Sequence, residues 1–182
     1  MTGRRSWRAR TIPIEADPAV RNFSYTLVDG QIYYRENSRM NPVEVSKTAE
    51  SRIRGMIELR ECVRRLIEYQ TEGYPDEEIA AEQQKLNVLY DSFTAKYGLI
   101  NSRGNKLAFS EDSSYCLLCS LEVLDEQGSL KRKADMFTRR TIRPHVAVTS
   151  VDTASEALAV SLSEKAAIDF AYMSELTDKS EE

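Results

Sequence analysis

Histidine and tryptophan each occur once in this chain of 182 residues, and cysteine three times. The single His145 follows Pro144 among arginines, with no carboxylate or nucleophile placed to make it a proton-transfer group, so a surface histidine is expected there. Glycine is sparse at seven; Gly98 and Gly104 do not frame a phosphate cradle, and no Gly-Lys-Ser/Thr follows them. A nucleophile-elbow serine, a His-Glu-x-x-His pair and a GxGxxG turn are also missing, so no active site of those classes is visible. No apolar run approaches the ~20 residues of a membrane helix, and no apolar h-region follows Arg4 and Arg5. Three cysteines, an odd number without framework spacing, suit a reducing compartment. The expectation is a cytoplasmic protein with no membrane partner and no cofactor of its own.

Charge, by contrast, is plentiful. Charged residues make up 30% of the chain against 41% apolar, with a net charge of -4 and a mean hydropathy of -0.49. The total argues against a chain that binds nucleic acid over its whole surface. The distribution is uneven: Arg4, Arg5, Arg8 and Arg10 make the start basic, Lys131 to Arg143 form a second basic run, and the end carries Glu175, Asp178, Glu181 and Glu182.

Two amphipathic helices organise the rest. Ile53, Met56, Ile57, Val63, Leu66 and Ile67 recur at three- and four-residue spacing, as do Ile79, Leu86, Leu89, Tyr90, Phe93 and Tyr97. Each apolar stripe needs cover, and the nearest cover is the other helix. The first helix is expected from Ser46 or Thr48 to about Gly73, with Gly55 allowing a close contact. The second is expected to take Pro75 as its first helical residue and to stop at Gly98. Ahead of them, order is expected from Asn22. Phe23–Val28 and Gln31–Arg35 flank Asp29-Gly30, a hairpin signal because both turn positions need positive φ. Its aromatics, Phe23, Tyr25, Tyr33 and Tyr34, are expected to pack, a base-stacking surface being the alternative. Asn41-Pro42 is expected to break the chain.

Residues 99–112 read as a loop, followed by a short helix with Tyr115, Leu117, Leu118 and Leu121, capped by Asp112 or Ser113. A second hairpin is expected from Glu122-Val123-Leu124 and Ser129-Leu130-Lys131. Thr153 and Glu156 have capping-box spacing and open a third long helix running from Ala157 to Leu176; Lys179 to Glu182 resemble the start of another. The fold class is therefore α+β and mainly α-helical: an antiparallel long-helix pair plus a third long helix, with one or two small β-hairpins. The expected organisation is a flexible basic lead-in over 1–21, a single α+β accessory domain over 22–176, and the truncated start of a following segment over 177–182.

Three constellations could carry chemistry. Cys116-Leu-Leu-Cys119 supplies half a zinc site, and Cys62 with His145 could nominally complete it, but the leucines point to buried structural cysteines. Asp76-Glu77-Glu78 and Asp125-Glu126 suit a helix start and a solvated loop. The best binding candidate is Lys131, Arg132, Lys133, Arg139, Arg140 and Arg143, interleaved with Met136 and Phe137, which could track a phosphate backbone; a solvated strand pair is the alternative.

Whole phrases of the chain carry a resemblance. Tyr33-Tyr-Arg-Glu-Asn-Ser-Arg-Met40, Arg60-Glu-Cys-Val-Arg-Arg-Leu-Ile67, Lys96-Tyr-Gly-Leu-Ile-Asn-Ser102, Asp112 to Leu124, Lys133 to Ile142 and Ser150 to Leu158 are among them. They resemble a region of very large proteins on conjugative and phage-like mobile elements of Gram-positive gut bacteria. Those proteins join an adenine-specific DNA methyltransferase part to a Swi/Snf-type DEAD/DEAH-box helicase part, and the resemblance places this chain between the two. Asn41-Pro42-Val43-Glu44 lacks the aromatic-ended NPPY or DPPY form of the methyltransferases, and no Walker motif is present, so no catalytic residue carries over. The resemblance implies a non-catalytic accessory or connector region that positions DNA or couples the flanking methyltransferase and helicase domains. A purely structural protein–protein connector is the alternative.

Overall fold

The computed structural model describes residues 12–144 and 148–177. It is mixed α+β and mainly helical, and it falls into two compact units, Met1–Arg143 and Pro144–Glu182. The span 22–176, expected as one domain, includes parts of both. The arginines at 4, 5, 8 and 10, His145, Val146 and residues 178–182 lie outside the described residues.

The first unit is built on the helix pair. Helix α1 spans Lys47–Thr71 and α2 spans Asp76–Tyr97. Ser46 rather than Thr48 caps α1, its Oγ accepting from the Ala49 amide at 3.2 Å. Pro75 sits one position earlier than expected, at the N-cap of α2. Its carbonyl accepts from the Glu78 and Ile79 amides at 3.1 and 3.2 Å, so it opens the helix by accepting, which a residue without an N–H can do. Gly98, at φ 76°, ends α2. The apolar stripes face each other as expected, and Gly55 makes the approach possible: a Cβ there would lie 2.7 Å from the Phe93 ring.

A four-stranded antiparallel sheet packs beside the pair in the order β1-β4-β3-β2, with β1 Ile14–Glu15, β2 Ser24–Val28, β3 Gln31–Glu36 and β4 Arg39–Pro42. Asp29 and Gly30 take φ of 49° and 79° in the β2–β3 turn. Two strands exceed the expected hairpin. Regular structure begins at Ile14, upstream of Asn22, because Ile14 pairs with Met40 and Glu15 with Arg39; a strand of two residues carries no alternation to read. Asn41-Pro42 ends β4 instead of lying in a break, and Pro42 occupies the last ladder position opposite Tyr33. Tyr25 and Tyr33 are buried, with the Tyr25 ring 5.1 Å from Tyr34 and 5.4 Å from Phe109, so these three tyrosines pack as expected; Phe23, expected to pack with them, is instead 45% exposed.

Residues 99–112 are not one loop. Helix α3 occupies Arg103–Phe109, where the buried Asn105 amide donates to the carbonyls of Tyr97, Gly98 and Leu99 and Phe109 enters the core. Helix α4 follows at Tyr115–Cys119. Asp112 is buried: its Oδ1 accepts from the Ser114 amide at 2.9 Å, and its Oδ2 accepts from the Tyr25 amide at 2.9 Å and from Arg60 Nη1 at 2.6 Å. It thereby fastens sheet, α1 and α4 together. The α4 face turned inward is Tyr115 and Leu118, which rotates Cys116 to the surface and leaves Cys119 half-buried. Only Cys62 is a buried cysteine, so the expectation of a buried Cys116–Cys119 pair is corrected.

The second hairpin forms as expected from β5, Glu122–Leu124, and β6, Leu130–Lys133, and leads into a 3-10 turn at Asp135–Phe137. Buried Glu122 holds it down. Its Oε1 accepts from Tyr90 Oη at 2.9 Å and the Ile100 amide at 2.7 Å, and its Oε2 accepts from the Asn101 amide at 3.0 Å. Burial and that carboxylate push the Tyr90 phenol well above its ordinary pKa.

In the second unit the third long helix is two helices, α5 Ala154–Lys165 and α6 Phe170–Thr177. The capping box at Thr153 and Glu156 is formed as expected. The break lies at Ala166, which adopts φ 53°. Ser161 Oγ stabilises it, donating to the Ala167 carbonyl at 2.8 Å and accepting from the Asp169 amide at 2.9 Å, while Asp169 Oδ1 accepts from the Tyr172 amide and starts α6 afresh.

Candidate nucleic-acid interface

The six cations of the basic run have different fates. On β6, Val123 opposes Arg132 and Leu124 opposes Leu130, so Lys131 is the extra residue of a bulge and points to solvent. Lys133 turns inward. Its Nζ lies 2.6 Å from Asp91 Oδ1, donates to Asn87 Oδ1 at 2.9 Å, and sits 5.1 Å from both the Tyr90 and Phe137 ring centroids. With 28% of its side chain exposed, Lys133 fastens the hairpin to α2.

Arg132 and Arg139 meet on Asp135. Arg132 Nη1 donates to Asp135 Oδ1 at 2.9 Å, and Arg139 Nη2 donates to Asp135 Oδ2. The spacing explains the meeting: Asp135 stands three residues after Arg132 and four before Arg139, at the start of the 3-10 turn. The Arg139 hydrogen bond, with charge from both guanidiniums, holds the Asp135 carboxyl below its ordinary pKa. Both arginines remain open to solvent, at 55% and 69% side-chain exposure.

Arg140 is committed elsewhere. It donates to the Gln70 carbonyl at 3.3 Å, to the Tyr74 carbonyl at 2.6 Å and to Asp76 Oδ1 at 3.1 Å, strapping the α1–α2 turn. Gln70 Oε1 completes the strap by accepting from the Thr141 and Ile142 amides at 2.6 and 2.8 Å. Arg143 is exposed, and neither it nor Lys131 makes a side-chain hydrogen bond or ion pair among the described residues. The interleaved apolar residues face inward: Phe137 is buried and Met136 is half-buried, with Gln83 Nε2 donating to the Met136 carbonyl at 3.0 Å.

The structure thus brings Arg132 and Arg139 to one carboxylate, leaves Lys131 and Arg143 to solvent, and assigns Lys133 and Arg140 to packing. Asp135, Asp91, Asn87 and Gln70 were missed as parts of this surface. Only Asp135 carried a local signal, its spacing from the two arginines; the other three lie on the helix pair, far away in sequence.

The second unit has the opposite electrostatics. Residues 148–177 carry Asp152, Glu156, Glu164, Asp169 and Glu175 against the single cation Lys165, whose Nζ lies 4.9 Å from the Tyr172 ring centroid. Helix α6 itself has no lysine or arginine. Leu162, Ile168 and Phe170 are exposed, the last at 66%, while Ala157, Ser161 and Leu176 are buried. No helix among the described residues is long and apolar enough to cross a membrane.

No curated protein and no solved structure matches the chain. Residues 150–182 match a family model described as "Probable helicase, winged helix domain", which makes this part of the chain similar to a helicase-associated domain.

Proposed function

We propose that the chain is a non-catalytic accessory region of a helicase-containing, DNA-processing protein, positioning DNA for the catalytic domains that flank it. The observation that carries this reading is the likeness of residues 150–182 to a helicase winged helix domain. The solvent-facing cations Lys131, Arg132, Arg139 and Arg143 supply a surface for phosphate. The finer assignment, a connector between an adenine-specific DNA methyltransferase part and a Swi/Snf-type helicase part of a mobile-element protein, rests on the sequence resemblance.

The test is a fluorescence-polarisation titration with labelled duplex and single-stranded DNA at low and moderate salt. The expected result is binding in the range of about 10⁻⁴–10⁻⁶ M that weakens steeply with salt. Absence of binding at low salt would sink the DNA-positioning role. It would leave the second reading, a protein–protein connector, which the exposed Leu162, Ile168 and Phe170 favour. That reading expects the chain to retain the neighbouring helicase part in a pull-down.

A further inference from the structure

We infer that the ligand of the basic surface is the sugar–phosphate backbone itself, taken without regard to sequence by Arg132 and Arg139 held side by side on Asp135. Lys131 and Arg143 add charge, and Lys133 and Arg140 take no part. This rests on the DNA-positioning role and narrows it to a class of contact.

Three observations support it. The first is donor supply. A guanidinium has five N–H donors in a planar fork; Arg132 Nη1 spends donors on Asp135 and on the Lys133 carbonyl at 3.2 Å, and Arg139 spends Nη2 on Asp135. Most donors of both side chains are left for phosphate oxygens, and sharing one carboxylate fixes the two forks near one another. The second is the burial of the neighbouring rings. Phe137 and Tyr90, packed against Lys133, are buried with their rings 5.2 Å apart, so neither offers a face on which a base could stack. The third is the hairpin tip. A two-stranded ribbon could enter a major groove, but this tip presents Asp125 and Glu126, both exposed, and their carboxylates repel a groove lined by phosphates. Asp125 is held there by its own turn, its Oδ1 accepting from the Gln127 and Ser129 amides at 3.0 and 2.8 Å. Backbone contact along the flank is what remains.

The commitment of Lys133 and Arg140 separates this inference from a plain basic patch. Lys133 meets Asp91, Asn87 and two rings, and Arg140 meets two carbonyls and Asp76; taking either to a phosphate would undo the tie between the hairpin segment and the helix pair.

The experiment measures the dependence of duplex affinity on salt for the whole chain and three variants, using two duplexes of unrelated sequence. The logarithmic slope changes by about 0.9 for each phosphate contact. R132A/R139A is expected to make the slope shallower by about two units, equally on both duplexes. R140A and K133A are expected to keep the parent slope while lowering the melting temperature. An unchanged slope in R132A/R139A, a shallower slope in folded K133A or R140A, or parent affinities that differ tenfold between the duplexes would each overturn the inference while leaving DNA positioning standing. A parent chain that binds neither duplex at low salt would remove both. Circular dichroism of R132A/R139A checks that the fold survives, as two exposed side chains predict.

Discussion

The basic surface at Lys131–Arg143 and the helical pair α5–α6 divide properties that a DNA-handling region would be expected to combine. The likeness to a helicase winged helix domain falls on α5–α6, which is acidic and carries one cation. The solvent-facing cations belong to the other unit, on a hairpin and turn tied to the long helices. Helix α6 has no lysine or arginine with which to meet phosphate. Family likeness and electrostatic footprint are separate properties, and here they sit in different parts of one chain.

The two regions also differ in how they are held. The first unit has a continuous core under the helix pair and a buried ion pair within it, whereas the second buries Ala157, Ser161 and Leu176 and leaves larger apolar side chains outside. The sharpest test of that asymmetry is Asp112→Ala. It strands the buried Arg60 and the Tyr25 and Ser114 amides, and chemical denaturation should show a loss of about 3–5 kcal/mol. A loss below 1 kcal/mol would mean that Arg60 finds full compensation from Glu61, 2.8 Å away.

Thr153→Ala should have a smaller and local effect. It removes the side chain that accepts from the Glu156 amide at 3.2 Å, so α5 should lose about 1 kcal/mol. Hydrogen exchange should quicken over residues 154–158 and stay unchanged in α1 and α2. Equal acceleration in both units would dissolve the contrast between them.

The smallest effect concerns pH. The folded carboxyl of Asp135 titrates below an ordinary aspartate, first because of its hydrogen bond to Arg139. Its contribution to stability is therefore present above the ordinary aspartate pKa and is lost as the pH falls through the lowered folded value. Because the carboxylate is solvent-accessible, the expected change is slight and best read site by site. An NMR titration should place Asp135 below the ordinary aspartate range, and Arg139→Ala should raise it towards that range. An Asp135 midpoint that ignores that substitution would deny the shared arrangement of the two arginines.

How much was legible followed from range. Periodicity in α1 and α2, the Asp29-Gly30 turn and the Thr153–Glu156 box are signals carried by neighbours in sequence, and all four features formed. Helix α3 was hidden because Gly104 stands in its first turn and lowers local helix propensity; the amide of Asn105, bonding back to three carbonyls, compensates through contacts invisible in a propensity window. The break at Ala166 was hidden for the same kind of reason. Ala157 to Leu176 has enough apolar residues to suggest one helix, but Ser161 and Asp169 form a capped turn within it. Cys116 and Cys119 look alike in sequence, and only the choice of Tyr115 and Leu118 as the inward face of α4 turned Cys116 outward.

By itself, then, the sequence determined the helix pair, the two hairpins, the mainly helical α+β class and the concentration of positive charge between Lys131 and Arg143, because each depends on residues a few positions apart. Tertiary structure alone decided which of those charges are available. Asp91 and Asn87 on α2 draw Lys133 inward, and the Gln70 and Tyr74 carbonyls with Asp76 capture Arg140, while Arg132 and Arg139 stay in water on Asp135. The physical reason is that a cation's partners are set by distance in space, and the carboxylates and carbonyls that compete for it come from elements remote in the chain.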